Sequence, residues 1–176
     1  MFSLAFACFS FHFLKREFET LFVHRFSHSS MPLINLFKNS VHYWFLSGFL
    51  IAYFLYSPSF VSPPLPMVLT SALVFVTAEL GNFYCHFLLK NIRPAGSTER
   101  KIPHGFAFEL VSCPNYSFEI LAWISFAVMT GLWSSWLFAA VGGLQMYLWA
   151  VKKHHRYLKE FKDYPRQRKM LVPYVI

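Results

Sequence analysis

Apolar residues gather into four long runs, at positions 1–14, 41–57, 65–89 and 120–151, and polar residues fill the intervals between them. Crossing the hydrocarbon core of a bilayer takes a helix of about 20 residues. The second run suits one short span and the third a tilted one. The fourth is too long for a single helix. Its polar interruptions, Thr130-Gly131 and Ser134-Ser135, divide it into two helices joined at a hairpin tip. The pattern predicts an all-α fold, a polytopic transmembrane helical bundle with spans at about 41–57, 65–89, 118–131 and 134–152. Run 1–14 has neither a basic leading segment nor a small-residue cleavage site. It reads as a truncated or partial membrane helix, as in a fragment or short form of a longer chain.

The charges then orient the bundle. Lys15, Arg16, Glu17, Glu19, Arg25 and Lys38 lie in segment 15–40, before the second run. The linker 57–66 carries prolines and no charge, and the tip at 130–135 is also uncharged. Lys90, Arg93, Glu99, Arg100, Lys101, Glu109 and Glu119 separate the third run from the fourth, and the tail 153–176 is strongly basic. Threading the chain back and forth across a bilayer brings all these groups to one face, which the preference of Lys and Arg for the cytosol makes cytosolic. Segment 15–40 and the tail are therefore expected in the cytosol, with 41–176 forming one membrane domain. Glu79 alone among the acids falls inside one of the apolar runs.

Composition agrees with this picture. The 176 residues are 56% hydrophobic, 20% aromatic and 14% charged, whereas soluble domains carry about 25% charged residues. Mean hydropathy is +0.40. A net charge of +8 would suggest nucleic acid in a soluble chain. Beside apolar spans it instead suits membrane lipid and phosphate-bearing ligands, with no nucleic acid partner. Cys8, Cys85 and Cys113 form neither a disulfide framework nor a zinc ribbon.

Polar residues inside apolar helices mark the candidate chemistry. Glu79, Asn82 and His86 share one helical stripe and are expected to face the bundle interior or a wet cavity, for hydrogen bonding between helices or for function. Arg93 follows one turn later, before Pro94-Ala95-Gly96, where a guanidinium suits phosphate or carboxylate. Ser112-Cys113-Pro114-Asn115-Tyr116 reads as a helix start, with Ser112 or Cys113 as cap and Pro114 in the first turn. Such an N-terminus facing a basic loop attracts anions. It places Asn115 and Glu119 on one face, although a first-turn acid also complements the helix dipole. Lys153, His154 and Tyr157 cluster on the tail helix, where a solvated face over lipid headgroups is the alternative reading. His24 and His28 have the spacing of a helical metal pair, but the repeated histidine boxes of a membrane di-iron centre are missing, so no metal is expected. No GxGxxG or phosphate loop occurs.

The ordered stretches ETLFVHRFSH (19–28), NIRPAGS (91–97), SCPNY (112–116) and the tail KKHHRYLKEFKDYPRQRKMLVPYVI are similar to a known family. From about residue 12 to 176 the chain resembles the C-terminal domain of the steroid 5-alpha-reductase family, and most of all its trans-2-enoyl-CoA reductase branch. The resemblance implies an endoplasmic reticulum membrane protein, multi-pass, with its active site toward the cytosol. It implies NADPH-dependent reduction of the 2,3 double bond of very-long-chain trans-2-enoyl-CoA in fatty acid elongation, with acyl-CoA as substrate and other elongase-complex enzymes as partners. It assigns cofactor binding to Asn82, His86, Arg93, Asn115, Glu119, His154 and Tyr157, and proton donation to Tyr116. The family's reductases carry further N-terminal sequence. The steroid branch has a functional Tyr after an early His, where this chain reads His12-Phe13. Competing readings are a 3-oxo-steroid or polyprenol reductase of the same family, a membrane methyltransferase using S-adenosylmethionine, and an inactive elongase-complex subunit.

Overall fold

The fold is known from a computed structural model that describes residues 2–25, 30–92 and 99–175. Among these the regular structure is all helical, apart from one isolated parallel bridge between Val111 and Lys169. Helix α1 (Phe2–Phe18) continues through a wider π turn, Glu19–Val23. A second rod comprises α2 (Leu33–Ser40), the π-wound segment Val41–Ile51 and α3 (Ala52–Leu55). Three longer helices follow: α4 (Leu65–Ile92), α5 (Pro114–Thr130) and α6 (Trp133–Glu160). A short 3-10 turn, Phe106–Glu109, lies between α4 and α5.

Local chemistry explains the helix ends. Pro114 opens α5, where its missing N–H would have no partner anyway. The preceding Cys113 supplies no side-chain cap. The expectation of a capping Ser or Cys is thus corrected: Ser112 Oγ is drawn away, lying 2.6 Å from both His154 Nδ1 and Tyr164 Oη. At the other end of α5, Gly131 adopts φ 66° and donates its N–H to Ala127 O at 2.9 Å, a left-handed stop that glycine takes without strain. Thr130 Oγ1 donates to Ser135 Oγ at 3.0 Å and ties the tip together.

Packing sets two unlike ends. At the uncharged end Gly131 meets Pro63 of the proline-rich linker. At the other end Lys90 Nζ donates to Phe22 O at 2.9 Å, Arg100 pairs with Glu160 at 2.7 Å, and the tail adds a main-chain bond from Ser112 N to Lys169 O at 2.8 Å. The core lies where α4 packs on α5, with Phe75, Ala78, Ala122, Trp123 and Phe126 joined by Phe138 of α6 and Ile51 of the second rod. Outward faces are apolar as well: Leu69 and Leu73 on α4, and Trp136 and Leu137 on α6, are exposed. Among the described residues one helix, Leu65–Ile92, is long and apolar enough to cross a membrane.

The close approach of α4 to α5 depends on Gly81, where a Cβ would sit 2.7 Å from the Phe118 ring. Overpacking of this kind costs about 1–3 kcal/mol. Gly81→Val is expected to lower the thermal midpoint in detergent, and Phe118→Ala to restore part of the loss in the double variant.

Candidate active site

The charged end of the bundle opens into a cavity of about 1180 Å³. One wall is polar. It is built from Arg16 of α1, Asn82 and His86 of α4, and Asn115, Tyr116 and Glu119 of α5. Two members of the α4 stripe, Asn82 and His86, and both residues of the α5 spacing thus face one space, while Glu79 lies behind it; Asn82 Nδ2 links the two helices by donating to Asn115 O at 2.8 Å. Asn115 Oδ1 is buried and has no hydrogen-bond partner among the described residues. A carbonyl oxygen left this way calls for a donor from a ligand or water.

Behind that wall runs a ladder of buried charge. His12 Nδ1 donates to Glu79 Oε1 at 2.7 Å, while its Nε2 stands 3.4 Å from Glu119 Oε1. Lys15 Nζ pairs with Glu79 Oε2 at 2.7 Å, approaches Glu19 Oε1 at 3.5 Å and donates to Asn82 Oδ1. Glu19, fully buried, also meets Arg16 Nη1 at 2.7 Å and His86 Nδ1 at 3.0 Å. The ladder begins and ends on cavity residues, Glu119 and His86. Each cation holds a cavity side chain or its immediate partner in place.

Electrostatics follow from this packing. Burial pushes the Glu19 carboxyl up, but the His86 hydrogen bond and the charges of His86, Lys15 and Arg16 outweigh it and hold the group down at about 2. Burial, reinforced by the charges of His86 and Arg16, depresses His24 to about 4. The Tyr116 phenol is raised by burial to about 12, with Arg16 pulling it the other way. It is therefore protonated at neutral pH and available as a donor. Its ring lies under Lys153 Nζ, 5.9 Å from the centroid.

The other expected site residues lie elsewhere. His154 and Tyr157 are not on the cavity wall. They belong to an adjoining cluster in which His154 meets Ser112 and the ring of Tyr157, itself buried, stacks on Tyr164 at 5.3 Å. Arg93, most of the 91–97 stretch and His28 lie outside the described residues. His12, Lys15, Arg16 and Glu19 were not anticipated as site residues. The available signal was their spacing of three and four along an apolar helix, which puts them on one face. Glu19, His24 and His86 present possible ligand atoms within 4.8 Å of one another. Lys15 and Arg16 already balance that carboxylate, so a divalent ion there would meet uncompensated positive charge.

Two expectations concern stability. Glu79→Ala removes the nearest acid of both His12 and Lys15, and breaking a buried pair costs about 3–5 kcal/mol; a detergent unfolding titration reads the loss. Acid should also destabilise the fold in two stages. His24 (6.5 to about 4) and Glu19 (4.5 to about 2) both bind protons less readily folded than unfolded. Their contributions are present above the unfolded values and disappear as pH falls through these windows. His24→Gln is expected to flatten the upper stage, and Glu19→Gln the lower, in thermal melts across pH.

The sequence is similar to known proteins over nearly its whole length. The 3-oxo-5-alpha-steroid 4-dehydrogenase family matches residues 29–176. A very-long-chain enoyl-CoA reductase of Dictyostelium discoideum is 49% identical over 98% of this chain and 58% of its own length. Proteins named trans-2,3-enoyl-CoA reductase-like share 36% identity in Mus musculus and 34% in Homo sapiens, again over 98% of this chain. The chain spans 58%, 50% and 49% of the lengths of these three relatives.

Proposed function

Because this chain belongs to the 3-oxo-5-alpha-steroid 4-dehydrogenase family, we propose that its cavity reduces the 2,3 double bond of a very-long-chain trans-2-enoyl-CoA with NADPH. The observation that carries this reading is the polar wall, where Asn82, His86, Asn115, Tyr116 and Glu119 of two helices meet in one space. The relatives' names favour an enoyl-CoA over a steroid, as does Phe13 in the position of the steroid branch's Tyr.

The chain's own residues fit a nicotinamide dinucleotide. Asn115 Oδ1 is an acceptor in want of a donor, which a carboxamide or a ribose hydroxyl supplies. Asn82 and His86 would hold polar groups of the same ligand, and Arg16, on the same wall, suits a phosphate. Glu119 would accept from hydroxyls, its carboxylate steadied by His12. Arg93, His154 and Tyr157 belong to the proposed cofactor set through family resemblance. When bound, the reduced dinucleotide supplies the hydride that adds to the β-carbon of the enoyl thioester.

Tyr116 serves the other half of the reaction. As the β-carbon gains its hydride, negative charge grows on the thioester oxygen and the α-carbon requires a proton. A protonated, half-buried phenol stabilises that oxygen by hydrogen bonding and delivers the proton to carbon. Solvent entering the cavity restores it. One enoyl thioester, one hydride and one proton thus give one saturated thioester and the oxidised cofactor.

In this reading the protein is a polytopic bundle of the endoplasmic reticulum membrane, with domain 41–176 preceded by a cytosolic segment, 15–40. The charged end faces the cytosol, the tail 153–176 lies there too, and other elongation enzymes are partners. Support comes from the exposed apolar faces of α4 and α6 and from the separation of charged and uncharged ends.

Detergent-purified protein should oxidise NADPH with a long-chain 2-enoyl-CoA and not with an enone steroid. Absence of oxidation with enoyl-CoA removes the proposal. Tyr116→Phe should lower kcat by about a hundredfold or more, the range of general acid catalysis, with NADPH affinity measured by fluorescence unchanged.

A further inference from the structure

The cavity has a second wall of opposite character. The rod Leu33–Leu55 contributes Val41 and Leu46, and α6 contributes Phe138, Ala139, Val141 and Gly142. Its volume of about 1180 Å³ exceeds the roughly 300–1,000 Å³ of a pocket for one drug-sized ligand. Lys38 and Lys152 line the same space, so the apolar wall is continuous with cations able to meet a phosphate-bearing head. Where the walls converge, the His42 ring stacks on Phe138 with centroids 4.3 Å apart. Gly142 faces that ring: a Cβ there would lie 3.5 Å from His42 Cε1 and Nε2 and 3.9 Å from Met146 Cε. An alanine methyl would make ordinary contact. Because Gly142 lines the cavity, a longer side chain would add bulk there beside the His42 ring.

We propose that this wall is the channel for a single acyl chain of a CoA thioester, and that Gly142 determines which chains enter by keeping it open beside His42. The proposal rests on the reductase reading for its substrate class. The occupant is argued from charge and shape together. An apolar groove alone would accept any lipid tail, whereas Lys38 and Lys152 complement a tail that ends in an anionic head.

The 176-residue chain, Gly142→Ala and Gly142→Leu are compared by two readouts: binding of unreactive stearoyl-CoA, and NADPH oxidation with 2-octadecenoyl-CoA and 2-hexenoyl-CoA. Gly142→Ala, whose methyl only reaches contact distance of His42, should lose less stearoyl-CoA affinity than Gly142→Leu. Gly142→Leu should lose about tenfold or more of stearoyl-CoA affinity and of kcat/KM for the long substrate, the scale on which apolar pockets discriminate. The short substrate and NADPH affinity should be unaffected. Leu144→Trp adds bulk at an exposed position of the same wall and should give the same selective loss if Gly142→Leu fails to fold. Unchanged stearoyl-CoA binding in a folded Gly142→Leu, equal losses on long and short substrates, or no stearoyl-CoA binding by the parent protein overturns the proposal. Selective loss of stearoyl-CoA binding in a protein that reduces no enoyl-CoA would uphold the channel and reject the reductase reading.

Discussion

Glu79 holds this structure together. It is an acid in the middle of an apolar helix, and an unpaired charge in such surroundings is too costly to persist. Its two partners, His12 and Lys15, come from one face of α1. That requirement fixes the rotation and depth at which α1 docks against α4. His12 then reaches on to Glu119 of α5, so three helices share one electrostatic joint. Ion pairs of this kind add little net stability compared with well-packed apolar groups, but removing one partner is severe. Their effect here is registration.

Registration is what a site of this type needs. The groups lining the polar wall sit on different helices, and their usefulness depends on being held at fixed separations. Lys15 holds Asn82, His12 steadies Glu119, and Glu19 orients His86. From the other side the tail clamps the start of α5. Ser117 Oγ donates to Leu171 O at 2.6 Å, and Arg168, buried, donates to Pro103 O at 2.8 Å and to Glu109 Oε2 at 2.9 Å. The helix start that presents Asn115 and Tyr116 is thereby pinned between the charge ladder and the tail.

Much of the fold was legible because helices in an apolar chain announce themselves by run length and by their stops. Thr130-Gly131 ends α5 in the structure, and Pro114 begins it, for local steric reasons that any four residues carry. The stripe Glu79, Asn82, His86 was legible for a similar reason, since helical geometry alone puts the three on one face. Capping was misjudged at Ser112. Its hydroxyl has long-range partners in His154, Tyr164 and Lys169 that outcompete the local N–H groups, and no local pattern foretells that contest. Lys15 and Glu19 looked like surface charges because a charged pair beside an apolar run usually is one. Burial became visible when α4 brought an acid to meet them.

The sequence by itself therefore determined the helical class, the gathering of charge at one end and the identity of the polar residues that an apolar interior would have to satisfy. These follow from hydrophobic run length and from the cost of burying charge, both local properties of the chain. Tertiary structure decided which charges pair, which candidates share the cavity and which, like His154 and Tyr157, stand behind the start of α5. Those outcomes depend on how five helical rods rotate against one another. That rotation is set by contacts between residues far apart in the chain, such as His12 and Glu79, 67 positions from each other, beyond the reach of any helical period.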